Sequence, residues 1–116
     1  METMGKLRRT DMCGNLRKED EGREVTLMGW VQKRRNLGSL VFADIRDTSG
    51  LAQIVFDEEV SKEAFEKAEK LRSEYVIAVR GTVKERQSKN AEMATGDVEI
   101  FAEELKILSE AETPPI

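Results

Sequence analysis

The chain has 116 residues, of which 36% are charged, 39% apolar and 5% aromatic, and its formal net charge is −4. That length fits one domain with a single hydrophobic core and excludes a multidomain organisation. The absence of histidine and the single cysteine exclude an intrachain disulfide, the usual zinc sites and a Ser-His-Asp catalytic triad.

Charge is distributed unevenly along the chain. Residues 1–56 carry 10 basic and 8 acidic side chains, whereas residues 57–116 carry 9 and 15. The sequence therefore predicts a basic patch on an acidic body, and it argues against nucleic-acid binding through positive charge alone. No apolar run approaches the ~20 residues that span a bilayer, and the first residues lack the apolar region of a signal peptide. We therefore expect a cytoplasmic protein that does not bind membranes.

Alternation of apolar and polar residues predicts three consecutive strands in the first half of the chain. The predicted strands are residues 24–35, 40–46 and 51–56. Turn clusters at residues 36–39 and 47–50 separate them. Gly29 interrupts the row of side chains in the first strand, so we expect that strand to be long and bent.

Helical spacing replaces the alternation after the third strand. It predicts one amphipathic helix over residues 61–73, with Ser61 as its N-cap. The apolar face of this helix would be formed by Val60, Ala64, Ala68 and Leu71, with Phe65 beside them. Strand patterns return at residues 75–84 and 97–108, on either side of a polar loop at residues 85–96.

The order β-β-β-α-β-β is that of a five-stranded OB barrel, an all-β Greek-key fold with its helix between strands three and four. We predict an OB-fold domain over residues 23–108, preceded by a less regular lead at residues 1–22. Residues 109–116 are acidic and contain Pro114 and Pro115, which is typical of a linker, so we expect the chain to be part of a longer protein.

The parity of the strands places two candidate binding residues on the outside of the barrel. If Val41, Ala43 and Ile45 face the core, Phe42 points outward. The same reasoning places Gln53 outward beside it on the third strand. An exposed phenylalanine ring can stack on a base, and a glutamine amide can both donate to and accept from a base edge. The pair is therefore suited to a base turned out of a single strand.

Charged residues accompany this pair. Four cations could contact phosphates, namely Lys33, Arg34, Arg35 and Arg46. Glu99, which has outward parity on the last strand, could accept from an exocyclic amine of a base. We predict that these side chains converge on the face of the first three strands, where OB folds bind oligonucleotides.

Each of these residues has a structural alternative. An isolated phenylalanine on a strand is more often a core residue, a β-bulge would shift the parity by one position, and basic side chains at a strand end are usually only solvated. We expect Trp30 to cover the end of the barrel or to pack against the lead, and Cys13 to be an inert buried side chain.

Several segments share one resemblance. Residues 9–16 (RTDMCGNL), residues 22–47, which include the pattern G-W-V-x-x-x-R, and residues 50–56 (GLAQIVF) resemble the N-terminal anticodon-binding domain of bacterial aspartyl-tRNA synthetases. The M-A-T-G turn at residues 93–96 and the A-E-T-P-P ending at residues 111–115 are also similar to that family. The resemblance extends over nearly the whole chain from about Arg8.

The resemblance implies a role for each candidate residue. Phe42 would stack on the central uridine of the anticodon, and Gln53 would read the edge of that base. Arg35 and Glu99 would contact a flanking anticodon base. The remaining implied contacts are Lys33 and Arg34 to the RNA backbone and Asn90, in the polar loop, to the anticodon.

The resemblance also implies the wider context. The full enzyme of that family uses ATP and Mg²⁺ to activate aspartate and transfers it to tRNA(Asp), and its catalytic motifs would lie beyond Ile116. We expect this chain to bind the anticodon stem-loop without a cofactor and to be inactive alone. The full-length enzyme is expected to be a homodimer and this fragment a monomer.

Three alternatives stay open at this point. A free-standing OB protein could bind single strands without sequence preference, but it would carry several aromatic side chains, and the predicted face offers chiefly Phe42. The acidic helix or tail could dock another protein, which only its charge supports. The domain could also come from an asparaginyl-tRNA synthetase, because the two anticodons share their first and central bases.

Overall fold

The computed structural model describes residues 7–86 and 96–109, and it contains a closed five-stranded barrel with one helix. The elements are β1 (Glu24–Leu37), β2 (Leu40–Asp47), β3 (Gly50–Asp57), α1 (Lys62–Ala68), β4 (Val76–Glu85) and β5 (Val98–Ser109). The strands follow one another around the barrel as β1-β2-β3-β5-β4, and every neighbouring pair is antiparallel except β3 and β5. The predicted fold class and the five strands are confirmed.

Alternate residues of the five strands fill the barrel. Val41, Ala43 and Ile45 of β2 are almost completely buried, as predicted, and Phe56 of β3 is the largest fully buried side chain. Burial of such side chains stabilises the fold by about 1.5–3 kcal/mol each. The alternation predicted for β2 is therefore real, and it leaves Phe42 on the outer face.

A β-bulge in β1 changes which of its residues face outward. The register with β2 shifts between Val31 and Lys33, so the inward parity passes from Val31 to Arg34. Upstream of the bulge, Gly29 lies so close to the carbonyl oxygen of Arg46 that a Cβ there would clash with it. A bulge therefore lies three residues after Gly29, the position at which a bend is expected.

The helix is shorter than predicted. Its N-cap is confirmed, since the amide of Ala64 donates to Ser61 Oγ at 3.2 Å, but α1 ends at Ala68 instead of residue 73. Beyond Ala68 the amides of Lys70 and Leu71 bond to carbonyls three residues back, which tightens the chain and turns Leu71 into the core.

Two further features explain where the helix ends. The guanidinium of Arg34 donates to the carbonyl of Glu69 and also to that of Ala68, which accepts from the Leu71 amide as well, so it caps the end of the helix. Glu74 has a φ of 79°, and this left-handed residue reverses the chain into β4. Val60, predicted on the apolar face, is 44% exposed because it precedes the helix, so that assignment was wrong.

The lead is held against the barrel in its described part, which begins at Leu7. It contains two short 3₁₀ turns, Cys13–Asn15 and Lys18–Asp20, and the side chains of Cys13 and Leu16 belong to the buried core. The amide of Cys13 donates to Asp47 Oδ2 at 2.8 Å, and the amide of Gly14 donates to Ser49 Oγ at 2.7 Å. The division of the chain into lead, barrel and linker stays a prediction, and residues 110–116 lie outside the described part.

Cys13 is expected to resist alkylation in the native protein. Its side chain is fully buried, and burial, followed by the nearby charge of Asp47, raises the pKa of its thiol well above the usual range. Iodoacetamide should therefore modify Cys13 at least about 100-fold more slowly than in urea-unfolded chain, as followed by mass spectrometry. Rapid modification of the folded protein would show that the lead detaches readily from the barrel.

Among residues 7–86 and 96–109, no helix is long and apolar enough to cross a membrane.

Candidate nucleic-acid interface

An open cleft of about 440 Å³ lies on the outer face of the barrel and joins the candidate residues of four strands. Arg35 of β1, Phe42 of β2, Gln53 of β3 and Glu99 of β5 all line it. The other lining residues are Leu40, Val55, Asp57, Arg86 and Phe101. The sequence therefore identified four of the nine lining residues and the face on which they meet.

Phe42 offers a partly exposed ring inside this cleft. Arg35 is its direct partner across the β1–β2 pair, and Arg35 Cζ lies 5.4 Å from the ring centroid, within the range of a cation–π contact. The bulge in β1 brings Arg35 to the outer face. Without the bulge, Arg35 would share the inward parity of Val31. A planar base can stack on the ring while the guanidinium lies near its edge or its phosphate.

Gln53 is diagonal to Phe42 and not directly opposite it. The register pairs Phe42 with Val55 and Gln53 with Asp44. Gln53 has outward parity as predicted, yet only 5% of its surface is exposed. Its Nε2 donates to Glu99 Oε1 at 2.9 Å, so the amide is buried against a partner that lies 46 residues away in sequence.

Glu99 is half-buried, and its environment changes its acidity. Burial raises the pKa of the Glu99 carboxyl, and the hydrogen bond from Gln53 and the positive charge of Arg86 only partly oppose this effect. The ionised carboxylate is therefore held at a desolvation cost by one amide and one cation. Such a carboxylate can accept a further hydrogen bond from a donor that enters the cleft.

The predicted cations are not gathered at one point. Lys33 shares the outer face with Arg35 and is exposed, opposite Asp44. Arg46 is on the same face further along β2, where its Nε donates to Gln32 Oε1 at 2.6 Å. Arg34 points to the other face because of the bulge and bonds to the end of α1, so it is separated from the cleft. Asn90 lies outside the described residues.

Phe101 and Arg86 are two of the five lining residues that were not predicted, and both could contact a nucleic acid. Phe101 has the same parity on β5 as Glu99, so the alternation that selected Glu99 could also have selected Phe101. Lys84 Nζ lies 4.5 Å from the centroid of its ring. Arg86 follows β4, and no periodic pattern extends to it. Trp30, expected to have a structural role, lines a separate groove with Arg9 and Met12 of the lead.

The arrangement is suited to a single-stranded nucleic acid. Two aromatic rings provide surfaces for bases, a buried amide and a carboxylate provide polar groups for a base edge, and cations flank them. No cluster that could hold a metal ion exists among the residues that the structure describes. The cleft thus offers ring faces for stacking and polar groups for hydrogen bonds to a base.

Comparison with known proteins supports this interpretation. Residues 25–108 match the family described as OB-fold nucleic acid binding domain. Over 115 residues the chain is 56% identical to an aspartate–tRNA ligase of Clostridium botulinum, a match that covers 99% of this chain and 19% of that protein. The chain thus spans about a fifth of the length of the curated relatives that it matches.

Solved structures give a consistent result. The aspartyl-tRNA synthetase of Entamoeba histolytica superposes with a TM-score of 0.81 and 26% identity, covering 98% of this chain and 24% of that one. The asparaginyl-tRNA synthetase of Pyrococcus horikoshii, complexed with asparaginyl-adenylate, has a TM-score of 0.76 and 32% identity over 93% of this chain and 25% of that one.

Proposed function

The chain belongs to the OB-fold nucleic acid binding domain family, in the form found in aspartate–tRNA ligases, and from this premise we propose that its cleft reads the anticodon of tRNA(Asp). The observation that carries the proposal is the convergence of Phe42, Gln53 and Glu99 on one cleft from three strands. No two of these residues are adjacent in sequence, and together they supply the stacking and edge contacts that one base requires.

In this proposal the central uridine leaves the stack of the anticodon loop and enters the cleft. Phe42 stacks on its ring, and Gln53 bonds to its edge. Arg35, which lies over the Phe42 ring in the free protein, moves to a flanking base or phosphate. Lys33 and Arg46, on the same outer face, hold the backbone, so positioning and base reading are divided between different residues.

The remainder of the function belongs to the longer protein. We propose that the parent enzyme is an aspartate–tRNA ligase of the cytoplasm, which uses ATP and Mg²⁺ outside this domain and acts as a dimer. The domain alone then binds RNA as a monomer and does not aminoacylate it. Binding of tRNA(Asn) by the same cleft is compatible with this proposal, because the two anticodons differ only in their third base.

The experiment compares two anticodon stem-loops that differ only in the central base, uridine or cytidine, at one fixed low salt concentration. We expect the wild-type domain to bind the uridine loop about tenfold more tightly, and Gln53→Ala to bind both loops equally, since a good polar contact to a base discriminates by about 1–3 kcal/mol. Fluorescence anisotropy with labelled RNA measures both constants.

A second candidate function is sequence-independent binding of single strands. The presence of Phe101 favours this candidate, because with Phe42 it gives the cleft two aromatic side chains. This candidate predicts equal wild-type affinity for the two loops and a loss of affinity with salt alone. That result would reject anticodon reading.

A further inference from the structure

The hydrogen bond between Gln53 and Glu99 joins the two strands that close the barrel. Ile54 pairs with Ile100 in the parallel contact of β3 and β5. The residues that precede them, Gln53 and Glu99, therefore lie side by side on the outer face. Their side chains meet at 2.9 Å. We propose that Glu99 is a positioning residue, which fixes the Gln53 amide with its carbonyl directed to the bound base and thereby selects uridine over cytidine. This inference rests on the proposed function.

The orientation of the amide follows from the chemistry of its partner. An ionised carboxylate has no proton and can only accept, so the NH₂ end of Gln53 must face Glu99. Rotating the amide by half a turn would put its carbonyl oxygen against the carboxylate, two acceptors without a hydrogen between them. Gln53 is only 5% exposed, so water cannot easily compensate for that arrangement.

The hydrogen-bonding groups of the Gln53 amide that Glu99 leaves unoccupied determine which base edge the amide can bind. No donor among the described residues reaches Gln53 Oε1, and the Nε2 group keeps a second hydrogen. The amide therefore offers an acceptor and a donor side by side. Uracil presents the complement, an N3–H donor beside a carbonyl acceptor. Cytosine presents an N3 acceptor beside an amine donor, which would need the rotated amide.

This assignment gives Glu99 a role that differs from direct contact with a flanking base. Glu99 Oε1 is already occupied by the Gln53 amide. Its contribution to specificity then acts at the central position, through Gln53, and a variant should change the preference there. A residue in direct contact with a flanking base would change the preference at that flanking position instead.

Glu99→Gln is the informative substitution, because it keeps the shape of the side chain and can accept or donate toward either orientation of the Gln53 amide. We expect the preference for the uridine loop to fall from about tenfold to about twofold or less. Affinity for the cytidine loop should rise at the same time. Glu66→Gln, an exposed position on α1 that removes the same charge, is the matched control and should keep the wild-type ratio.

A measurement on the free protein makes the test independent of RNA. Burial raises the pKa of Glu99, so the side-chain NH₂ resonances of Gln53 should titrate with a midpoint above that of an ordinary glutamate. They should not titrate in Glu99→Gln. Charged groups around Glu99 are Lys84, opposite it in the β4–β5 register, and the cleft residues Arg35, Asp57 and Arg86. Asp57 is the carboxylic acid among these four, and Asp57→Asn separates its contribution to the resonances of Gln53.

The outcomes are distinguishable from failure of the proposed function. Equal wild-type binding of both loops would reject anticodon reading, and this inference with it. A wild-type preference for uridine that Gln53→Ala removes and Glu99→Gln leaves intact would reject only the positioning role. A change confined to a flanking base would reject it as well, in favour of direct contact.

Discussion

Phe42→Ala is expected to weaken binding of the anticodon stem-loop by about 5- to 150-fold, whichever pyrimidine is in the central position. The ring stacks on a base through its face, which uracil and cytosine share, so the loss should not depend on the edge groups that Gln53 reads. Isothermal titration or anisotropy with both loops measures the loss. The ratio of the two affinities should stay near its wild-type value.

The structural cost of this substitution should be small. Phe42 is on the outer face of β2, and its removal opens no cavity in the core that Val41 and Ala43 help to fill. Phe42→Leu is the matched control, because it keeps an apolar side chain and removes the aromatic face. Both variants should melt within a few degrees of wild type, whereas binding should fall in both. Unchanged binding by Phe42→Ala would show that the base stacks elsewhere.

Phe101→Ala tests whether the ring of Phe101 is a second surface on which a base stacks. Lys84 Nζ lies 4.5 Å from the Phe101 ring centroid, as Arg35 lies near Phe42, so both rings are already in contact with a cation in the free protein. If the two alanine variants lose similar affinity for any loop, the cleft holds two stacked bases. If only Phe42→Ala loses it, one base is bound in the manner that the anticodon proposal requires.

Local sequence patterns were sufficient for the strands and for the outer position of Phe42. β2 keeps a single alternation between Gly38 and Gly50, which adopt positive φ values of 68° and 144°, whereas the pairings of β1 and β5 both contain register shifts. The parity of such a strand is fixed once its apolar positions are known. The same alternation would have identified Phe101, which shares the outward parity of Glu99.

Tertiary contacts determined what the sequence did not predict. The bulge between Val31 and Lys33 reverses the faces of Arg34 and Arg35, and no local signal marks it. The helix ends at Ala68, where the Arg34 guanidinium binds its final carbonyls. Gln53 is buried because Glu99, distant in sequence, is brought beside it by the parallel pairing of β3 and β5. All three features depend on pairs of segments and not on one segment.

Asp47→Ala is expected to lower the free energy of unfolding by about 2–4 kcal/mol at neutral pH, the largest stability loss that we predict for a polar residue. Asp47 is 7% exposed at the start of the turn between β2 and β3. Its Oδ2 accepts from the Cys13 amide, and its Oδ1 accepts from the amide and hydroxyl of Ser49. Without the carboxylate, the Cys13 amide is left buried without its acceptor.

The stability that Asp47→Ala loses should be large at neutral pH and small in acid. Burial raises the pKa of Asp47, but the hydrogen bonds from Ser49 and Cys13 outweigh it, so the pKa in the folded protein lies below that of an ordinary aspartate. The carboxylate therefore contributes its full stability above about pH 4 and loses it as the pH falls through the lower, folded-state pKa. Urea unfolding from pH 7 to pH 2.5 should show wild type and Asp47→Ala converging in acid. Asp44→Ala, a neighbouring β2 carboxylate whose side chain bonds to no described residue, should cost less than about 1 kcal/mol. A constant difference between wild type and Asp47→Ala across this range would mean that packing, and not the ionised carboxylate, holds the lead against the barrel.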